Sequence, residues 1–185
     1  MSRVSNRRRW LLVAAALAAA PLARAQAFDP SHAAWTALLN KHVVLLRGGQ
    51  ESQLRYAGMA AERAELKAYL DRLSGVSTAA FEGFGKAQQM AFLINAYNAF
   101  TVELILTRYP KLASIKDLGS LLSSPWKPKW VPLLGEKLSL DDIEHGTLRR
   151  HFAEPRIHFA VNCASKGCPP LAAHAYTAAA LEAQL

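Results

Sequence analysis

The sequence predicts an α+β fold: a mostly helical single domain around a small β-sheet, behind an N-terminal signal peptide. Three observations predict it. Apolar residues recur at helical spacing through 86–108. Residues 156–162 alternate like a strand. Two short apolar runs, 131–134 and 137–140, flank Gly135-Glu136 like a hairpin. The chain has 185 residues, of which 51% are hydrophobic and 19% charged. That composition excludes a disordered chain. Two cysteines are too few for a disulfide-dense mini-scaffold. The length suits one domain, assigned to 26–185.

Residues 1–25 read as the signal peptide. Arg7, Arg8 and Arg9 form a basic start, 10–20 is an uncharged apolar run, and Pro21 breaks it. Ala23-Arg24-Ala25 is a small-x-small cleavage site, and the overlapping Ala25-Gln26-Ala27 would instead leave Phe28 first. The apolar run falls short of the ~20 residues a bilayer needs. Cleavage is therefore expected rather than an uncleaved anchor, with no stable membrane-spanning segment afterwards. The expected location is periplasmic or secreted, by the general secretory route rather than the twin-arginine one. The leader also distorts the charge. The whole chain carries 22 basic and 14 acidic residues; without the leader's five arginines, 17 basic residues remain, a net of +3. Spread along the chain, that is no nucleic-acid footprint.

Ser31 is expected to cap a first helix with Trp35, Leu38, Leu39, Val43 and Leu46 on one side, ended by Gly48-Gly49. A second helix, starting near Ala60, carries Leu66, Tyr69, Leu70 and Leu73 and stops at Gly75. The longest helix, 86–108, is apolar on more than one side and stops at Tyr109-Pro110. Asn95 and Asn98 lie inside it, three apart and on one face. A loop follows over 114–130, with a helical turn expected at 118–122. Pro132 confines the first hairpin strand to an edge. Ser139 and Asp142 are spaced as a capping box for a helix running to about His151, where Arg149 and Arg150 suit its dipole. Pro169-Pro170 forces an extended segment, and Thr177 can cap a last helix. The apolar stripe begun by Leu181 and Leu185 stops with the chain, so the domain is expected to be incomplete at its C-terminal end.

Four segments carry a resemblance: Phe92 to Ala99, Ser114-Ile115-Lys116-Asp117, Leu138 to His145, and Arg156 to Ser165 with Cys168-Pro169. They span 92–170 and resemble the domain-of-unknown-function 547 family. The resemblance implies a domain of exported bacterial proteins, also found in plants beside other modules. It implies that the family continues past the end of this chain, and it supplies no established reaction.

Asn162, Cys163, Ser165 and Cys168 are the residues best placed for chemistry, near His158. Three readings compete. In the first, export leads to a Cys163–Cys168 disulfide, and the domain is a non-catalytic binding or scaffold module. In the second, Cys163 is the nucleophile of a hydrolase or acyl transferase, with His158 or His145 as base and Asn98 or Glu144 orienting it. In the third, His158, Cys163, Cys168 and His174 hold zinc, although the spacing is wide. A pair that cycles between thiols and disulfide is a further possibility. A polar pocket would draw on Asn95, Asn98, Glu144, Asn162 and Ser165. The plainer reading of the two asparagines is a buried amide network fixing the 114–117 loop. Trp126 and Trp130 read as anchors of their loop rather than a sugar site. No cofactor is implied, and no partner class is singled out.

Overall fold

The computed structural model of the protein describes residues 28–119, 123–165 and 167–185. The leader and part of the 118–122 turn lie outside these residues. The elements are α1 (Ala33–His42), β1 (Val43–Leu46), β2 (Glu51–Leu54), α2 (Tyr56–Ala61), α3 (Arg63–Ser74), α4 (Thr78–Glu82) and α5 (Lys86–Leu106). Then come β3 (Val131–Leu133), β4 (Glu136–Leu138), a π-helix over Asp142–Leu148 running into α6 (Arg149–His151), α7 (Ile157–Ala160) and α8 (Leu181–Gln184).

The fold is built around α5. Every residue from Ala91 to Glu103 on this helix is buried, as its apolar residues on several faces require. α1 and α3 cover one side with Trp35, Leu39, Leu66 and Leu73, and the 131–161 region covers another with Val131, Leu140, Ile143 and Ile157. Arg63 grips the buried carboxylate of Glu103 with two bonds, at 2.6 and 3.1 Å, tying α3 to α5. Phe28 packs against Phe84 and Phe92, fixing the start of the domain.

The fold class is as expected, but four local readings are corrected. First, 43–46 does not prolong α1. It pairs antiparallel with β2, Val43 opposite Leu54 and Leu46 opposite Glu51. Gly48 and Gly49 turn this hairpin at φ 66 and 92, values that favour glycine. Second, Ser31 does not cap α1: the N-cap position is His32, whose side chain makes no cap bond, and the Asp29 carboxylate accepts from the Ser31 amide and from the first helical amide, Ala33. Third, 156–162 is no strand. Ile157–Ala160 is a short helix, and the described strands form two separate two-stranded sheets, β1–β2 and β3–β4. Glu154 accepts from the Arg156 amide at 2.9 Å, supporting that helix start. Ile157, Ala160 and Val161 then bury one helical face while Phe159 is 64% exposed. Fourth, the turn in the 114–130 loop is a 3-10 helix at Ile115–Leu118, closed by reciprocal bonds of Ser114 and Asp117.

The Gly135 hairpin and the Ser139–Asp142 capping box form as read, the latter with 2.9 Å bonds in both directions. Trp126 and Trp130 pack on the core, Trp130 edge-on to Phe100. Leu181 is buried and Leu185 partly buried against the core, so the last apolar stripe does find a surface to pack on. Among the described residues, no helix is long and apolar enough to cross a membrane.

Candidate functional site

The middle of α5 organises the site. Asn98 offers both ends of its amide: Nδ2 donates to the Ala160 carbonyl at 2.9 Å, and Oδ1 accepts from the Asn162 amide at 2.8 Å. Asn95, one turn earlier, does the same for Tyr176, at 2.7 and 3.0 Å. The two amides do not reach the 114–117 loop, so that expectation is corrected. A side-chain amide at each position imitates a neighbouring strand for an irregular segment that has none.

Asn162 passes this support outward. Its Nδ2 donates to the Pro169 carbonyl at 2.7 Å, and its Oδ1 accepts from the Ala164 amide at 2.9 Å. Between these bonds lies the Cys163–Cys168 disulfide, with Cα atoms 5.9 Å apart, within the ordinary range. Ala164 is held at φ 55 inside the loop. The exposed Ser165 donates its amide to the Cys168 Sγ at 3.4 Å. A groove of about 330 Å³ runs beside the loop, walled by Asn162, Ser165, Cys168, Pro169 and Pro170, and by Leu46 with Glu51, Ser52 and Gln53 of β2. Ser52 Oγ accepts from the Leu171 amide at 2.7 Å and holds the two walls together.

A charged array lies on the other flank of Asn98's neighbour, Tyr97. Glu144, 15% exposed, accepts two bonds from Arg149, at 2.9 and 3.1 Å. Arg149 Nη2 lies 3.1 Å from His158 Nδ1. An arginine can only donate, so the hydrogen bond forms with Nδ1 as the acceptor, in the tautomer that has its ring N–H on Nε2. His145 Nε2 is 3.9 Å from Glu144, and His145 is 57% exposed. Burial, then the Glu144 carboxylate beside it, pushes the Tyr97 hydroxyl far above its ordinary pKa. Glu144 and His145 lie within the π-helix, a backbone form that recurs at functional sites.

The structure thus gathers Asn98, Asn162, Ser165, Cys163 and Cys168 in one network, and Glu144, His145 and His158 in another that starts two residues before Ala160. Asn95 serves Tyr176 instead. Among the described residues, no hydrogen bond joins Cys163 to His145 or His158. The Cys163 sulfur is bonded to Cys168, so in this state it has no thiolate with which to attack a substrate. The same bridge bears on the zinc reading. Both sulfurs are in the bridge, His174 is exposed, and no three described His, Cys, Asp or Glu side chains converge as a ligand set.

Sequence reasoning missed Tyr97, Arg149 and the β2 wall. Tyr97 lies between the two asparagines of one quoted segment, and Arg149 was read only as a dipole partner. The β2 wall was hidden because its hairpin read as a helix end, although Arg47-Gly48-Gly49-Gln50 is a turn signal.

The family described as "Protein of unknown function, DUF547" matches residues 81–185. The chain belongs to the DUF547 family. The match covers more than half the chain and every site residue except those of the first hairpin, so the groove has one DUF547 wall and one wall from outside the matched region. Comparison with curated proteins and with solved structures finds no significant match.

Proposed function

We propose that the chain is an exported, non-catalytic binding domain whose Cys163–Cys168 disulfide clamps a groove for a small polar ligand. The observation that carries this reading is the bridge itself. It consumes both thiols of the chain and closes the loop that walls the groove. Export supports it, because such a bridge persists in an oxidising compartment. The groove lies at the lower end of the usual size range for small-molecule sites. Glu51, Ser52, Gln53, Asn162 and Ser165 in its lining favour hydrogen-bonded recognition, beside the apolar Leu46, Pro169 and Pro170. Asn98 and Asn162 supply preorganisation, since they hold the loop before any ligand arrives.

The test is intact mass after thiol alkylation under denaturing conditions, with and without reductant. The expected result is no labelling before reduction and two labels after it. Cys163→Ala and Cys168→Ala should then lose the same stability, about 2 kcal/mol for so short a loop. Two free thiols, with a Cys163→Ala variant of unchanged stability that no longer reacts with an electrophilic probe, would replace this reading with the cysteine hydrolase.

A further inference from the structure

A second cavity, of about 400 Å³, lies at the start of α1, in the part of the chain outside the family match. Phe28, Asp29, His32, Ala33, Tyr69 and Arg72 line it. Asp29 and Ala33 are exposed, at its mouth, whereas His32 is 1% exposed, at its floor. The imidazole is held there firmly. The His32 N–H donates to the Asp29 carbonyl at 3.0 Å, the His32 carbonyl accepts from the Thr36 amide, and the residue between these bonds sits at φ 51. Its Nδ1 lies 2.7 Å from the Tyr69 hydroxyl. Among the described residues that hydroxyl has no other acceptor. If it donates to Nδ1, one group is left over, the Nε2–H. The opposite arrangement would strand two, the tyrosine proton and the Nε2 lone pair, so the first is favoured. Nε2 has no partner among the described residues. Of the buried side-chain atoms left in that state, it is the one whose residue lines a described cavity. The lining carries one carboxylate, Asp29, and one guanidinium, Arg72, so its formal charges offset each other.

We propose that this cavity binds a small uncharged carbonyl compound with an aromatic or apolar body, its oxygen accepting from the His32 Nε2–H. The oxygen meets the polar demand that the fold leaves open there. The body rests against Phe28, Ala33 and Tyr69. Nε2 lies below the surface, and the Phe28 ring stands at 74° to the imidazole with centres 5.2 Å apart. Seating the oxygen therefore needs the half-buried Phe28 ring to turn aside, a side-chain change common at binding sites. The volume lies within the usual range for small-molecule sites. The site shares no lining residue with the disulfide groove and does not depend on any ligand there.

The experiment uses the full chain, isotope-labelled at its histidine nitrogens, and benzamide as the probe, followed by magnetic resonance. Before addition, the His32 ring signals should show the proton on Nε2. Benzamide should shift them saturably, with half-saturation at about 1 mM. Benzylamine, which has the ring but no acceptor, should leave them unmoved. Benzoate should bind no more tightly than benzamide, because Asp29 offsets Arg72. Ala33→Leu fills the mouth at an exposed position and leaves the imidazole in place. It should weaken benzamide by about tenfold or more without changing the thermal unfolding temperature. A proton on Nδ1, no saturable shift with benzamide, an equal response to benzylamine, tighter binding of benzoate, or an affinity untouched by Ala33→Leu would each overturn the proposal. None of these outcomes bears on the disulfide groove, so the two readings fail separately.

Discussion

Asn98 makes the most consequential contacts of any single residue at the site. Its amide satisfies one buried carbonyl and one amide of the segment that leads into the disulfide. Asn98→Ala would leave both without a partner, so it should cost on the order of 3 kcal/mol, read as a shift in the urea midpoint at constant slope. Asn98→Asp keeps the acceptor but loses the donor to Ala160, and should recover only part of that loss. His32 gives a second residue-scale expectation. Its Nδ1 lies 2.7 Å from the Tyr69 hydroxyl, the residue is 1% exposed, and its Nε2 has no hydrogen-bond partner among the described residues. Burial lowers its pKa from 6.5 to about 4, with the Asp29 charge opposing. The unfolded chain therefore binds a proton that the folded chain refuses. The stabilising effect is complete above pH 6.5 and is lost as pH falls through about 4. The expected loss is on the order of 3 kcal/mol. Denaturant titrations between pH 7 and pH 4 should follow this slope, and His32→Gln should flatten it.

At the scale of elements, α1 and α2 meet at a contact that admits no side chain. A Cβ on Gly58 would lie 2.6 Å from Nδ1 of the buried His42 ring. Gly58→Ala should destabilise by about 1–3 kcal/mol through overpacking, although alanine is the better helix former; thermal unfolding would measure it. The same scale explains the misread segments. Over 157–161 both periods fit. In the sequence, Ile157, Phe159 and Val161 alternate as a strand requires, and Ile157, Ala160 and Val161 share a face as a helix requires; only the structure, with Phe159 exposed, separates them. A five-residue run cannot separate the two patterns. The decision falls to the Glu154 carboxylate at the helix start and to Asn98, which caps the segment's last carbonyl and thereby stops the helix. In the first helix, Val43 is buried whichever way the chain continues, so the apolar stripe alone ran on past His42. The β-branched Val43-Val44 pair and the Gly48-Gly49 turn carried the opposite signal.

The whole molecule divides unevenly between its matched and unmatched parts. The DUF547 match begins at residue 81, yet α1 and α3 cover one side of α5 with Trp35, Leu39, Leu66 and Leu73, and Arg63 neutralises the buried Glu103. A fragment of residues 81–185 would expose that face and leave the carboxylate unpaired. It should therefore lack a cooperative unfolding transition by circular dichroism, whereas residues 28–185 should show one. The far end is tied in by polar contacts. Arg156 bridges Glu154 and Glu182, and Gln184 bonds to the Ala175 carbonyl and the Thr177 amide. Arg156 holds the Glu154 carboxyl well below its ordinary range, at about 2, so the Arg156–Glu154 half of the bridge should persist on acidification until near that pH; Arg156 lowers the exposed Glu182 carboxyl as well.

The sequence by itself determined the α+β class, the span and burial of α5, the Gly135 hairpin and the Ser139–Asp142 cap. Each of these follows from local spacing: an apolar period sustained over many residues, a turn flanked by apolar runs, or two side chains that bond across one helical turn. It also supplied the family resemblance and the cysteine pair. Tertiary structure alone decided which partners the buried asparagines take, because backbone groups 62 to 81 residues away satisfy them. It likewise decided that the disulfide loop shares a groove with β2, more than a hundred residues earlier. Such pairings leave no mark on local periodicity. They arise when the burial of α5 brings distant segments together, and each buried polar group must then find a partner where it lies.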